Sequence, residues 1–180
     1  TLSPEQDTVE TWQRRMGLLD CLRVAGEARR ARMLAGQWAA VAPDEVRGAL
    51  SFCRGLLATD LEEGQDLLAR AVEELRDPAE SAVASIVLAG RAGGNLWRLR
   101  EGRAHAERAV TDARSSGRRM LLREALGVLG DLAARAGDPD AGAILHEAVG
   151  IAAQDESLVS GRAPEKFLAF WHVRRGERAG

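Results

Sequence analysis

Tyrosine is absent from this chain of 180 residues, Phe and Trp number only three and four, and aromatics make up 4%. The usual β-formers are thin, whereas Ala and Leu, two strong helix formers, together approach a third of the residues. That bias predicts an all-α protein before any pattern is considered. An excess of charge is missing too: 25 basic against 27 acidic residues leave a net charge of -2, so no overall basic field exists to attract nucleic acid or an anionic membrane. Lysine is nearly missing, with Lys166 the only one, a pattern that reads as the codon bias of a GC-rich genome. No apolar run approaches the roughly 18 residues of a membrane span, and no basic-then-apolar secretion signal opens the chain. A cytoplasmic location with no membrane partner is the expectation. Two cysteines, Cys21 and Cys53, sit in apolar segments and are expected to be buried free thiols, since a helical domain of this size needs no staple.

What is present is globular: 46% hydrophobic and 29% charged residues suit one domain with a sizeable core. The chain begins at Thr1 without Met, which reads as an excised piece of something longer. The most informative feature is self-similarity at a period near forty. Arg70-Ala71-Val72 recurs as Arg108-Ala109-Val110 and as Glu147-Ala148-Val149. Seven residues before each Ala lies Gly64, Gly102 or Ala141, and Ala28 and Ala35 repeat that spacing earlier in the chain. Gly90 and Gly130 occupy matching places upstream of two of the units. Repetition on this scale is the mark of stacked helical hairpins.

Start signals and apolar spacing place the helices. Ser3-Pro4 with Gln6, Thr59 with Glu62, and Asp77-Pro78 with Glu80 read as capping boxes, and Asp138-Pro139 as a cap followed by Pro at the first helical position. Leu67, Leu68, Ala71, Val72 and Leu75 recur at three and four residues, as do Leu122, Ala125, Leu126, Leu129, Leu132 and Ala133. The expected helices are 4–25, 27–41, 43–58, 61–76, 78–93, 98–115, 118–136, 139–153 and 164–176. They pair into four hairpins with one helix over. Glycines inside helices cost about 0.5–1 kcal/mol each relative to Ala, so Gly64, Gly90, Gly102, Gly127 and Gly130 are expected at close helix crossings. Gly130→Leu is therefore expected to destabilise the fold.

Chemistry is harder to find. No Walker A string occurs, and Gly90-Arg91-Ala92-Gly93-Gly94 follows a helix rather than a strand, so it reads as a helix end and turn. His105, His146 and His172 have no metal-ligand spacing, and no Ser or Cys has a His at a recognisable motif distance. Catalytic residues, metal and cofactor are all expected to be none. Arg14, Arg15, Arg23, Arg29, Arg30 and Arg32 make the first hairpin locally basic while residues 60–80 are acidic. These are solvated helix faces or, on a sharper reading, contacts between domains or between copies in a homo-oligomer.

The small-residue pattern resembles the tetratricopeptide repeat. Gly90, Gly102 and Ala109 match it in one unit, Gly130, Gly137, Ala141 and Ala148 in the next, and Trp12, Ala28 and Ala35 in the first. The period here is nearer 38–40 than 34, and most of the repeat's aromatic positions lack an aromatic. Over most of 45–176 the chain is similar to the helical-repeat region of large actinobacterial LuxR-family regulators related to the maltose regulator. The stretch EGRAHAERAVTDARSSGRRMLLREALGVLGDLAARAGDPDAGAILHEAV carries that likeness.

The resemblance implies a right-handed α-solenoid of about four and a half hairpins filling 1–180 as a single domain, its last repeat incomplete. It also implies a regulatory, non-catalytic segment that binds a small-molecule inducer or a protein partner. Such a segment signals to ATPase and DNA-binding domains elsewhere in the parent chain and does not itself bind nucleic acid. The alternative is a stand-alone tetratricopeptide-type adaptor between proteins. In such a solenoid the first helices line the inner surface. The register then puts Cys53, Arg91, Asp131 and Phe170 at equivalent inner positions, with Asn95 and Arg135 one turn further and Glu124 one helix face earlier. Those residues form a candidate ligand or partner groove, or else make ordinary surface and inter-repeat contacts.

Overall fold

In the computed structural model the residues described are 8–95, 98–151 and 164–174. They form nine α-helices in chain order: α1 (Val9–Val24), α2 (Ala28–Ala39), α3 (Asp44–Leu57), α4 (Leu61–Glu74), α5 (Pro78–Gly90), α6 (Leu99–Ser116), α7 (Arg119–Ala136), α8 (Ala141–Gly150) and α9 (Pro164–Arg174). A π-helical segment, Arg91–Asn95, continues directly from α5. No strand occurs among the described residues, and none of their helices is long and apolar enough to cross a membrane. Each helix matches an expected one, with ends displaced by up to about five residues.

The ends follow from local chemistry. Asp77 caps α5, its side chain accepting from Ala79 N at 2.7 Å, with Pro78 at the first helical position where no N–H is missed. The cap of α4 is Asp60 rather than Thr59: its carboxylate accepts from Glu63 N at 2.8 Å, one residue later than the capping box implies. Asp138-Pro139 does not open α8, which starts at Ala141. Asp138 instead closes a turn by accepting from Asp140 N at 2.9 Å. The expected Ser3 cap lies outside the described residues. Gly117 (φ 67°) and Gly137 (φ 77°) end α6 and α7 in the left-handed conformation, which a Cβ would strain.

Contacts divide the chain into two compact units, Thr1–Leu75 and Arg76–Gly180. In the first, α1 packs on α2 and on α3, α2 on α3, and α3 on α4. Its core joins Trp12, Leu19, Leu22, Ala31, Ala35, Val46, Leu50 and Leu57. In the second, α5 packs on α6 and α7, α6 on α7, α7 on α8 and α9, and α8 on α9. Ile86, Ala106, Ala109, Val110, Leu126, Leu129 and Leu132 fill its core. Each fully buried Leu contributes about 1.5–3 kcal/mol, while the small residues decide how closely the helices approach.

The repeated alanines sit at the centre of those seams. Ala71, Ala109 and Ala148 are all fully buried, and Ala35 is almost so. The glycine register differs from the expected one. Gly102 abuts Gly93 and Ala89: a Cβ at this position would fall 2.8 Å from Gly93 N, so Gly93 rather than Gly90 is its crossing partner. Gly55, which the sequence pattern did not single out, plays that part in the α3–α4 hairpin, against Gly64 O and Leu68. Gly130 faces Leu145 in the α7–α8 hairpin. Gly55, Gly93 and Gly130 thus recur at intervals of 38 and 37 residues. The π segment holds Gly93 in place: its wider turn accommodates an extra residue and keeps the helix going past Gly90. The Gly-rich stretch is therefore a continued helix, not the helix end and turn expected.

Candidate functional site

The groove residues fall in both compact units. Cys53 belongs to the first, on α3, where it packs half-buried beside the core formed by α1, α2 and α3. Burial pushes its thiol up to about 11, with Asp20 adding to the rise and Arg23 opposing it. A thiol in that state is protonated at neutral pH and is a poor nucleophile or metal ligand. Cys21, expected to be buried, lies exposed on α1, because its position falls on the face of the helix opposite Leu19 and Leu22. The two cysteines are not joined.

The other six groove residues lie in the second unit. Arg91 and Asn95 are the first and last residues of the π segment, half-buried and exposed respectively. Burial lowers the Arg91 guanidinium below its ordinary value. Glu124, Asp131 and Arg135 share one stripe of α7 at spacings of seven and four residues. Asp131 and Arg135 are already paired on that stripe at 2.8 Å. Phe170 projects from α9 and is 64% exposed. Helices α5, α7 and α9 are neighbours in series, α5 on α7 and α7 on α9, so these residues rise from adjacent helices. What the geometry joins directly is the Asp131–Arg135 pair. It offers polar recognition from a side chain held in place by its neighbour.

Several polar contacts escaped the sequence reading because they link residues far apart in the chain. Arg123 of α7, its side chain only 12% exposed, is paired with Glu165 at the start of α9. Arg103 of α6 reaches Asp138, and Arg114 of α6 reaches Glu147 of α8 at 3.1 Å, so α6 is tied to the following hairpin at two points. Asp138 is held below the usual carboxylate range, first by the Asp140 N–H and then by Arg103. His105 on α6 is shifted down by burial, against the partial opposition of Glu101 at 3.8 Å. His146 and His172 meet edge-on with centroids 6.0 Å apart, and Trp171 stacks edgewise on His172 at 5.0 Å. Among the described residues no three His, Cys, Asp or Glu side chains gather as a metal site requires.

Compared with known proteins, the chain matches no family model, and no curated protein matches it.

Proposed function

We propose that this chain is a non-catalytic regulatory binding segment of a bacterial LuxR-family transcription regulator, built as a right-handed α-solenoid of tetratricopeptide-like hairpins. The observation that carries the architecture is the recurrence of one crossing. Gly55, Gly93 and Gly130 each sit where a first helix meets its second, and a buried Ala follows in that second helix. The packing order inside each unit agrees with it: first helix on first helix, and each second helix on the next first helix. Small differences at one crossing shift the next, so ligand binding at one hairpin can be passed along the stack.

In this reading the groove residues Arg91, Asn95, Glu124, Asp131, Arg135 and Phe170 of the second unit receive an inducer or a protein partner. The ATPase and DNA-binding steps belong to other domains of the parent chain, and the segment works in the cytoplasm. The resemblance of residues 45–176 supports the regulator over a free-standing adaptor. Sequencing the parent reading frame on both sides of Thr1 and Gly180 tests it. A P-loop upstream and a helix-turn-helix downstream are expected, and stop signals with neither neighbour would overturn the regulator in favour of the adaptor.

A further inference from the structure

The first compact unit holds a cavity of about 240 Å³ between α3, α4 and the end of α2. Its polar wall comes from one stripe of each of two antiparallel helices. Arg47, Ser51 and Arg54 recur at four and three residues along α3, and Arg70 and Glu74 at four residues along α4. Ala42 and Leu50 give it an apolar floor. Three guanidinium groups therefore face one carboxylate. The carboxylate is engaged, since the Ser51 hydroxyl donates to Glu74 Oε2 at 2.9 Å. Arg47 is paired with Asp44 at 2.9 Å on its own helix. Arg54 and Arg70 make no ion pair or side-chain hydrogen bond with any described residue. Arg54 is half-buried, and it also borders a second cavity of about 120 Å³, which Arg32 and Glu63 line. Arg32 is already committed, donating to Leu57 O at 3.2 Å.

Arg54 is half-buried and Arg70 is exposed, and two like charges lining one small polar cavity repel each other until an anion joins them. We propose that this cavity is a binding site for a small organic anion, its carboxylate or phosphate group held by Arg54 and Arg70 with the apolar floor beneath the rest. Arg54 comes from α3 and Arg70 from α4, and a guanidinium is the side chain best suited to bidentate contact with an oxyanion. The volume is below the 300–1,000 Å³ or so typical of drug-sized ligands, so the ligand is a compact metabolite. Glu74 sets a limit on charge: it repels an anion placed too near α4 and leaves the Arg54 side favoured. The site lies in the unit that holds Cys53 rather than the other groove residues, and it stands whether or not the regulator reading holds.

Calorimetric titration of the whole 180-residue chain at constant ionic strength tests the proposal, with inorganic phosphate and succinate as separate probes. Saturable binding of at least one is expected, and which one binds identifies the head group. Arg54→Gln and Arg70→Gln should each weaken that binding at least about tenfold. Glu74→Gln should tighten it, because the amide still accepts from Ser51 but no longer repels the anion. Circular dichroism melts of all three variants establish that they are folded. Should one arginine variant fail to fold, the other and Glu74→Gln still decide the matter. Absence of saturable binding to either probe, undiminished binding in the folded arginine variants, or weaker binding in Glu74→Gln would each overturn it.

Discussion

The α3–α4 and α5–α6 hairpins solve one packing problem by two routes. In both, a glycine near the end of the first helix meets a glycine nine residues on, Gly55 with Gly64 and Gly93 with Gly102. In both, a buried Ser on the first helix donates to a carboxylate near the end of the second, Ser51 to Glu74 at 2.9 Å and Ser81 to Asp112 at 2.7 Å. The routes part at the crossing. The α3 helix stops two residues after Gly55 and turns through Ala58–Asp60. The other helix runs on as a π segment, and Arg98 N–H then bonds back to Ala92 O at 2.8 Å before α6 starts. The close approach is thus the fixed requirement, and the backbone between the glycines adapts to it.

The largest effect should come from breaking the crossing outright in the hairpin that follows. A Cβ on Gly130 would lie 2.6 Å from both Cγ and Cδ2 of Leu145, which is itself fully buried. Gly130→Leu adds four carbons where one already collides, so a loss of about 3 kcal/mol or more is expected in a denaturant melt. A melt unchanged from that of the unsubstituted chain would show that the crossing is not what holds these helices together.

A finer comparison pits the two hairpins against each other. The Cβ of Gly102→Ala would meet backbone on every side, Gly93 N at 2.8 Å and Ala89 O at 3.0 Å. Gly55→Ala meets mainly the Leu68 side chain, at 2.8 Å. A side chain can turn aside where backbone cannot, and both substitutions gain about 0.5–1 kcal/mol in helix propensity. Gly102→Ala is therefore expected to destabilise by about 1–3 kcal/mol and Gly55→Ala by clearly less. Equal losses would mean that the π segment yields as readily as Leu68 does.

The serines should separate the hairpins by less. Ser81→Ala strips the hydroxyl from Asp112, whose side chain is 23% exposed, and should cost about 1–2 kcal/mol. Ser51→Ala frees Glu74 beside the cavity of about 240 Å³, where water can replace the lost donor, so the loss should be smaller. Thermal melts of the two variants side by side read the difference, and a larger loss at Ser51 would contradict it.

How much of this was legible in the sequence depends on the range of the interaction. Helices show in chain-local signals, so all nine stood out, and Asp77-Pro78 marked the start of α5 to the residue. The buried alanines were legible because Ala71, Ala109 and Ala148 recur inside a repeated tripeptide. Gly93 was not, since it lies within a run of glycines and its place depends on a π turn that no local pattern signals. Of the expected groove residues, Glu124, Asp131 and Arg135 were legible as one register along α7, where they share a stripe. The arginine cavity was hidden for the opposite reason. Arg47 and Arg54 stand in one helix and Arg70 in another, inside a segment whose composition reads as acidic, and only the folded hairpin brings them to one cavity.

The smallest expected difference between the hairpins is in their response to pH. The α3–α4 hairpin contains no histidine, whereas α6 carries His105, whose imidazole burial shifts below the ordinary value of 6.5. The folded state therefore holds that proton less tightly than the unfolded chain does. Stability then rises with pH between the lowered folded value and 6.5, and above 6.5 the histidine contributes no pH dependence. Below the folded value the full penalty of charging a half-buried ring is present, reduced by Glu101 at 3.8 Å. His105→Gln, which keeps a polar side chain without a titrating group, should flatten the stability profile below pH 6.5 and leave it unchanged at pH 8. Glu101→Gln should act in the opposite sense, lowering the folded value further and steepening the same limb. Denaturant midpoints of the three proteins from pH 5 to 8 measure both slopes. A His105→Gln profile that still rises through this window would assign the dependence to another group.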